Sequence, residues 1–179
     1  FFFLYDSTDF PKAEQLLKWL RPLQTNEGYF AHNRGGGACE DYDCVDLLIK
    51  LGNSEDQNAL LKTTARLLND QNSDGAYCWA KKDNNVLRFL FANWKFQLSL
   101  KENLRLFVKR TLDVLGSHNT WRYSGLKSLE CPTGSSDIWS TWFRNLILAE
   151  IDDKFINSGR NWKFRRFPSL GWHKSFTQI

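Results

Sequence analysis

The sequence predicts an all-α protein built from tandem helical hairpins. Three observations carry this reading. A loop pattern recurs at a fixed interval, apolar residues beside each copy fall at helical spacing, and the two-residue alternation of strands is scarce. The stretch "QTNEGYF" begins at Gln24 and "QNSDGAY" at Gln71, so Gln24, Glu27 and Gly28 match Gln71, Asp74 and Gly75 at an offset of 47. A weaker copy, "HNTWRYSG", starts at His118, again 47 residues on, with the acid-glycine pair replaced. A period of this length points to a stacked supersecondary unit.

Each unit reads as a helix, a loop and a second helix. Ala13, Leu16, Leu17 and Leu20 lead into the first loop, and Leu60, Thr64, Leu67 and Leu68 into the second. Leu104, Phe107, Val108, Leu112 and Leu115 form one stripe before the third. After the loops come helices carrying Val45 and Leu48, then Leu87, Leu90, Phe91, Trp94 and Leu98, then Trp139, Trp142, Phe143, Leu146 and Ile147. Roughly six helices in three hairpins are expected, within a single domain spanning 1–179 and ending in a basic aromatic strap. In each loop the glycine permits positive φ, the acid accepts from free amides, and the glutamine can bridge to the next unit.

A chain of 179 residues with 42% hydrophobic and 15% aromatic content can bury a real core. A net charge of +4 is too small to imply nucleic acid, so no nucleic-acid partner is expected. No apolar run reaches the length of a membrane span, and "FFFLYDSTDF" lacks the basic flank and cleavage site of a signal peptide. The chain has no methionine, which suggests a fragment. Cys39, Cys44, Cys78 and Cys131 form no Cys-x-x-Cys pair and read as reduced thiols of a cytoplasmic protein.

The second loop, "QNSDGAYCW", resembles the Q-x-x-D-G-x-W "QW" repeat of squalene and terpene cyclases. It also resembles the related loops of protein prenyltransferase beta subunits. The resemblance covers roughly residues 10–152 and implies an α/α toroid, a ring of hairpins with concentric inner and outer helices. Three hairpins make half of such a ring. A missing N-terminal segment, or another copy in a homo-oligomer, would then complete it.

The stretch "GGGACEDYDCVDLLIKLG" admits three readings. In the first, Asp41 or Asp43 is the N-cap of the helix carrying Val45 and Leu48, where carboxylates suit the helix dipole. The second follows from the resemblance, because "DYDCVDLLIKL" is similar to the D-x-D-D-T-A segment of class II terpene cyclases. That similarity implies Asp43 as proton donor and Asp41 as its neighbour, with Cys44 where a third aspartate would stand. Protonating carbon needs an acid that stays un-ionised before reaction, and crowding and desolvating two carboxylates raises one pKa. The third is a metal site drawn from His32, Cys39, Asp41, Asp43 and Cys44, with His118 or His173. No standard zinc spacing is present, and the prenyltransferase order Asp-x-Cys is reversed in Cys39-Glu40-Asp41, so neither metal nor cofactor is assigned. Gly35 to Gly37 lack the lysine of a phosphate loop.

In "SSDIWSTWFRNLILAEI", Ser135 or Ser136 is a plausible cap and Asp137 suits the first turn. Trp139, Trp142 and Phe143 suit a core. In a toroid the inner helices face the cavity, so Trp94, Trp139, Trp142 and Arg144 are candidate substrate-binding residues, the aromatics as walls for a carbocation. The tail "GRNWKFRRFPSLGWHKSF" reads either as an anion site or as a strap whose aromatics pack while its cations stay in water. The expected function is acid-catalysed cyclisation or transfer on a hydrophobic, isoprenoid-like substrate. The alternatives are a carbohydrate-acting enzyme pairing Asp41 or Asp43 with Asp137, and a non-catalytic protein-binding module.

Overall fold

A computed structural model describes residues 11–30, 37–78, 99–115, 118–121, 129–132, 134–160 and 162. Among the described residues there are five α-helices: α1 (Ala13–Leu20), α2 (Ala38–Leu51), α3 (Gln57–Asp70), α4 (Leu100–Leu115) and α5 (Ile138–Ile151). One antiparallel hairpin, β1 (His118–Trp121) and β2 (Leu129–Pro132), pairs His118 with Pro132 and Trp121 with Leu129. The chain is thus mainly helical, as the periodicity predicts. The first four residues of the expected third loop copy, His118–Trp121, form strand β1, in a stretch that lacks the acid-glycine pair of the first two loops. The helix expected around Leu87–Leu98, with Trp94, lies outside the described residues.

The first two loops close by matching bonds. The Thr25 amide donates to the Tyr29 carbonyl at 2.6 Å, and the Asn72 amide to the Ala76 carbonyl at 2.9 Å. The Gly28 amide donates to the Thr25 carbonyl at 3.0 Å, and the Gly75 amide to the Asn72 carbonyl at 2.9 Å. The amides of Gln24 and Gln71 donate to the carbonyls of Gly28 and Gly75 at 3.5 and 2.6 Å. The Gln24 side chain also reaches α3, donating to the Ala59 carbonyl at 2.8 Å and meeting Thr63 Oγ1 at 3.1 Å.

Helix α1 packs on α2, and α5 packs on both α2 and α3. The stripes largely meet: Leu17 and Leu20 from α1, Val45 and Leu48 from α2, Leu60 and Leu67 from α3, and Leu146, Ile147 and Ile151 from α5 are buried together, whereas Leu68, expected in the α3 stripe, is exposed because it lies a further 100° round the helix from Leu67. Tyr29, Phe30 and Tyr77 from the loops fill the centre. The turn from α2 to α3 is a capping box on Asn53 and Asp56. Arg21 grips Asp56 bidentately at 2.8 and 2.9 Å, which ties the end of α1 to that turn and holds the Asp56 carboxyl below its usual range.

Helix α4 departs from its expected stripe. Leu104 and Val108 are exposed, whereas Asn103 is buried. Beyond α5, the Asp152 carboxylate accepts from the Ser158 amide and hydroxyl at 2.9 Å and from Trp162 Nε1 at 2.7 Å. The start of the expected strap, Trp162, therefore packs on the core.

The two loop glycines differ in their surroundings. A Cβ on Gly28, at φ +96°, would lie 2.9 Å from the Lys62 carbonyl oxygen, whereas one on Gly75, at φ +81°, meets open space. Gly75→Ala is expected to lose only the left-handed backbone cost of about 1–2 kcal/mol. Gly28→Ala should lose clearly more, because α3 must move away, and urea unfolding of both variants measures the difference.

Candidate functional site

Helix α2 starts from Gly37, which occupies the N-cap position at φ +69°, a left-handed conformation that glycine adopts without strain. Neither Asp41 nor Asp43 is therefore the cap. Both lie within the helix, two residues apart. Two residues turn a helix by about 200°, so they point to different faces.

Asp41 points inward. Its Oδ1 accepts from the Phe30 amide at 2.7 Å, and its Oδ2 lies 3.4 Å from Arg144 Nη1. Both side chains are fully buried, at 0% and 1% exposure, so this pair bridges α2 and α5 inside the core. Arg144 also lies over the Tyr29 ring, 5.0 Å from its centroid. The Tyr29 hydroxyl donates to Asp70 on α3. Arg66 donates to the same carboxylate at 3.0 Å, approaches Glu27 at 3.8 Å and lies 5.6 Å from the Tyr29 centroid. Burial is the largest cause that pushes the Tyr29 hydroxyl pKa up, and the Arg144 charge opposes it. The network joins the first loop to α2, α3 and α5.

Asp43 lies on the half-buried face. Its pKa is pushed up to about 6, first by burial and then by Asp46 and Glu40. A second acid across from α2 is shifted further. Burial, then the nearby Asp46 carboxylate, lifts Glu150 on α5 to about 8, against the pull of the Tyr42 hydroxyl and Lys50. Tyr42 donates to Glu150 Oε1 at 2.9 Å, and Lys50 is held by Asp46 at 2.7 Å. An aromatic seam starts at Tyr42, the partner of Glu150. Tyr42 meets Phe143 at 5.6 Å, and Phe143 meets Trp139 edge-on at 4.9 Å. Cys39 adjoins both Trp139 and Asp43, and burial raises its thiol pKa. The α2–α5 pair thus carries two carboxyl groups with raised pKa values, Asp43 and Glu150, and the aromatic contacts of Tyr42, Phe143 and Trp139.

The structure thus brings Arg144 to Asp41 and Trp139 to Cys39. Trp142 is partly buried against the core, and Trp94 lies outside the described residues. Asp137 is itself the N-cap of α5, accepting from the Ser140 amide at 2.7 Å, whereas Ser136 bonds Asp74 instead of capping. Glu150 and Tyr42 went unnoticed in the sequence. Their signal is an acid inside the apolar run "LILAEI". Among the described residues no group of three or more His, Cys, Asp or Glu side chains forms a metal site, and no helix is long and apolar enough to cross a membrane. Comparison with known proteins finds no matching family model, no matching curated protein and no matching solved structure.

Arg144→Ala leaves Asp41 buried without its counter-charge and is expected to cost about 3–5 kcal/mol in chemical denaturation. Combining Arg144→Met with Asp41→Asn, which keeps an acceptor for Phe30, should recover a large part of that loss. Glu150 gives a pH signature. Its folded pKa lies above the unfolded value, so the folded state binds the extra proton and stability falls as pH rises from about 4.5 to about 8. Glu150→Gln should flatten that slope in urea midpoints measured across the range.

Proposed function

We propose that the chain is a terpenoid-cyclase-like or prenyltransferase-like helical protein that uses an acid on the α2–α5 face to protonate an isoprenoid substrate. The observation that carries this reading is the pair of raised carboxyls, Asp43 and Glu150, on the helices α2 and α5 that also carry the Tyr42–Phe143–Trp139 aromatic contacts. Asp43 is the proton donor. Asp41 holds α2 in place through Arg144 and Phe30, and Trp139 supplies a π face to a developing cation. The matching loop closures support the toroid reading, with α1 and α3 as outer helices and α2 and α5 as inner ones. The thiols of Cys39, Cys44 and Cys78 suit a cytoplasmic setting.

A second reading, a non-catalytic binding module, is favoured by large apolar side chains left exposed on the outer helices. Trp19 on α1 is 73% exposed and Leu68 on α3 is 52% exposed. A ring completed by another chain would cover them.

The test is turnover of a panel of linear isoprenoids, with and without a diphosphate, read by product mass spectrometry. Asp43→Asn is expected to abolish product while leaving the circular dichroism spectrum and unfolding midpoint nearly unchanged. An unaffected rate in that variant rules out Asp43 as the donor. No turnover of any isoprenoid, together with stable self-association that Trp19→Lys abolishes, favours the binding module.

A further inference from the structure

The first loop is a junction as well as a turn. With the end of α1 it holds α3 along one face of that helix. Arg21 grips Asp56, the N-cap of α3. The Gln24 side chain donates to the Ala59 carbonyl at 2.8 Å. Thr63 Oγ1 donates to the Gly28 carbonyl at 2.7 Å, and Lys62 Nζ donates to the Thr25 carbonyl at 3.5 Å. Arg66 approaches Glu27 at 3.8 Å. Positions 56, 59, 63 and 66 follow one another at intervals of three and four, so they share a helix face.

At the offset of 47, each half of this junction recurs on the opposite unit and faces solvent. The loop half recurs in the second loop. Gln71, Asp74 and Gly75 stand for Gln24, Glu27 and Gly28, and all three are exposed. Leu68 stands for Arg21 and is 52% exposed. The helix half recurs on α1. Leu17 and Leu20 of α1 are buried as Thr64 and Leu67 of α3 are, so the two helices keep the same rotation. Lys12 and Gln15, which stand for Ala59 and Lys62, are exposed, and Leu16, which stands for Thr63, is half-buried. Trp19 stands for Arg66 and is 73% exposed. The internal junction is thus flanked by Arg21 and Arg66, whereas the two open halves carry Leu68 and Trp19 at those positions.

We propose that a second copy of this chain docks on the second loop through its α1, repeating between molecules the junction that the first loop makes with α3. Trp19 of one copy lies against Asp74 and Gly75 of the other, and Leu68 packs beside the start of the docked helix. The Gln71 side chain donates to the Lys12 carbonyl, and the Trp19 indole N–H takes the place of Arg66 as donor to the acid. The exchange of two arginines for Trp and Leu has a physical reason. The internal junction is tethered by its own chain, so polar bonds suffice. Association of separate molecules must offset lost translational and rotational freedom, which burial of apolar surface does. The contact is head-to-tail, joining two different surfaces. It is independent of the catalytic reading and specifies the covering chain that the binding-module reading calls for.

Analytical ultracentrifugation of the full chain tests this. The chain is expected to associate beyond its 21.0 kDa monomer mass as concentration rises. Trp19→Glu and Leu68→Glu both alter exposed side chains, so each variant should keep the parent circular dichroism spectrum. Each alone should weaken association at least on the order of ten-fold. An equal mixture of the two should form a one-to-one dimer and nothing larger, because each variant keeps the half that the other has lost. A parent chain that stays monomeric up to about 1 mM overturns the proposal. So does association that Leu68→Glu leaves unchanged, or a mixture of the variants that stays monomeric. Isoprenoid turnover by a monomeric chain would overturn it while leaving the catalytic reading in place.

Discussion

The buried charge pair between Asp41 and Arg144 constrains everything around it. A carboxylate and a guanidinium taken out of water are costly unless each finds a partner and its remaining bonding capacity is met. Asp41 meets this by accepting the Phe30 amide as well as Arg144. The pair therefore fixes three things together: the rotation of α2, the rotation of α5 and the path of the first loop. Tyr29 adds a further link, since its ring lies under Arg144 and its hydroxyl reaches Asp70 on α3. An apolar contact of similar area would tolerate sliding. A network of directed bonds in a dry interior does not.

That fixed rotation determines what the other face of α2 presents. With Asp41 turned inward, Asp43 falls on the half-buried side, near Cys39. The Tyr42 ring packs against Phe143 while its hydroxyl holds Glu150. Two aspartates only two positions apart thus sit in different environments. Asp41 is neutralised by an opposite charge, whereas Asp43 feels burial and like charges. Burial, then Asp46 and Glu40, raises the Asp43 carboxyl.

Much of the helical architecture was legible in the sequence, because apolar spacing and the paired loops are local signals. Leu17, Leu20, Val45, Leu48, Leu60 and Leu67 are buried as their spacing predicts. The role of Asp41 was not legible, since an acid in the first turn suits a helix dipole whether it faces water or the core. Only its meeting with Arg144, far along the chain, decides the matter. The β1–β2 hairpin was missed because "HNTW" kept the repeat interval without the acid and glycine that make the turn. Leu104 and Val108 show the limit of periodicity: it gives the face of a helix, and the presence of a partner for that face is decided elsewhere.

The positions of Asp41 and Arg144 on two helices packed against each other have a consequence for how copies of this chain can meet. Were two molecules to exchange a helix wrongly, α2 against α2 would bury two carboxylates and α5 against α5 would bury two guanidiniums. Either pairing places like charges in a dry interior, where repulsion is least screened. The single pair thus acts as a polarity code, admitting only the arrangement in which each helix finds the other kind.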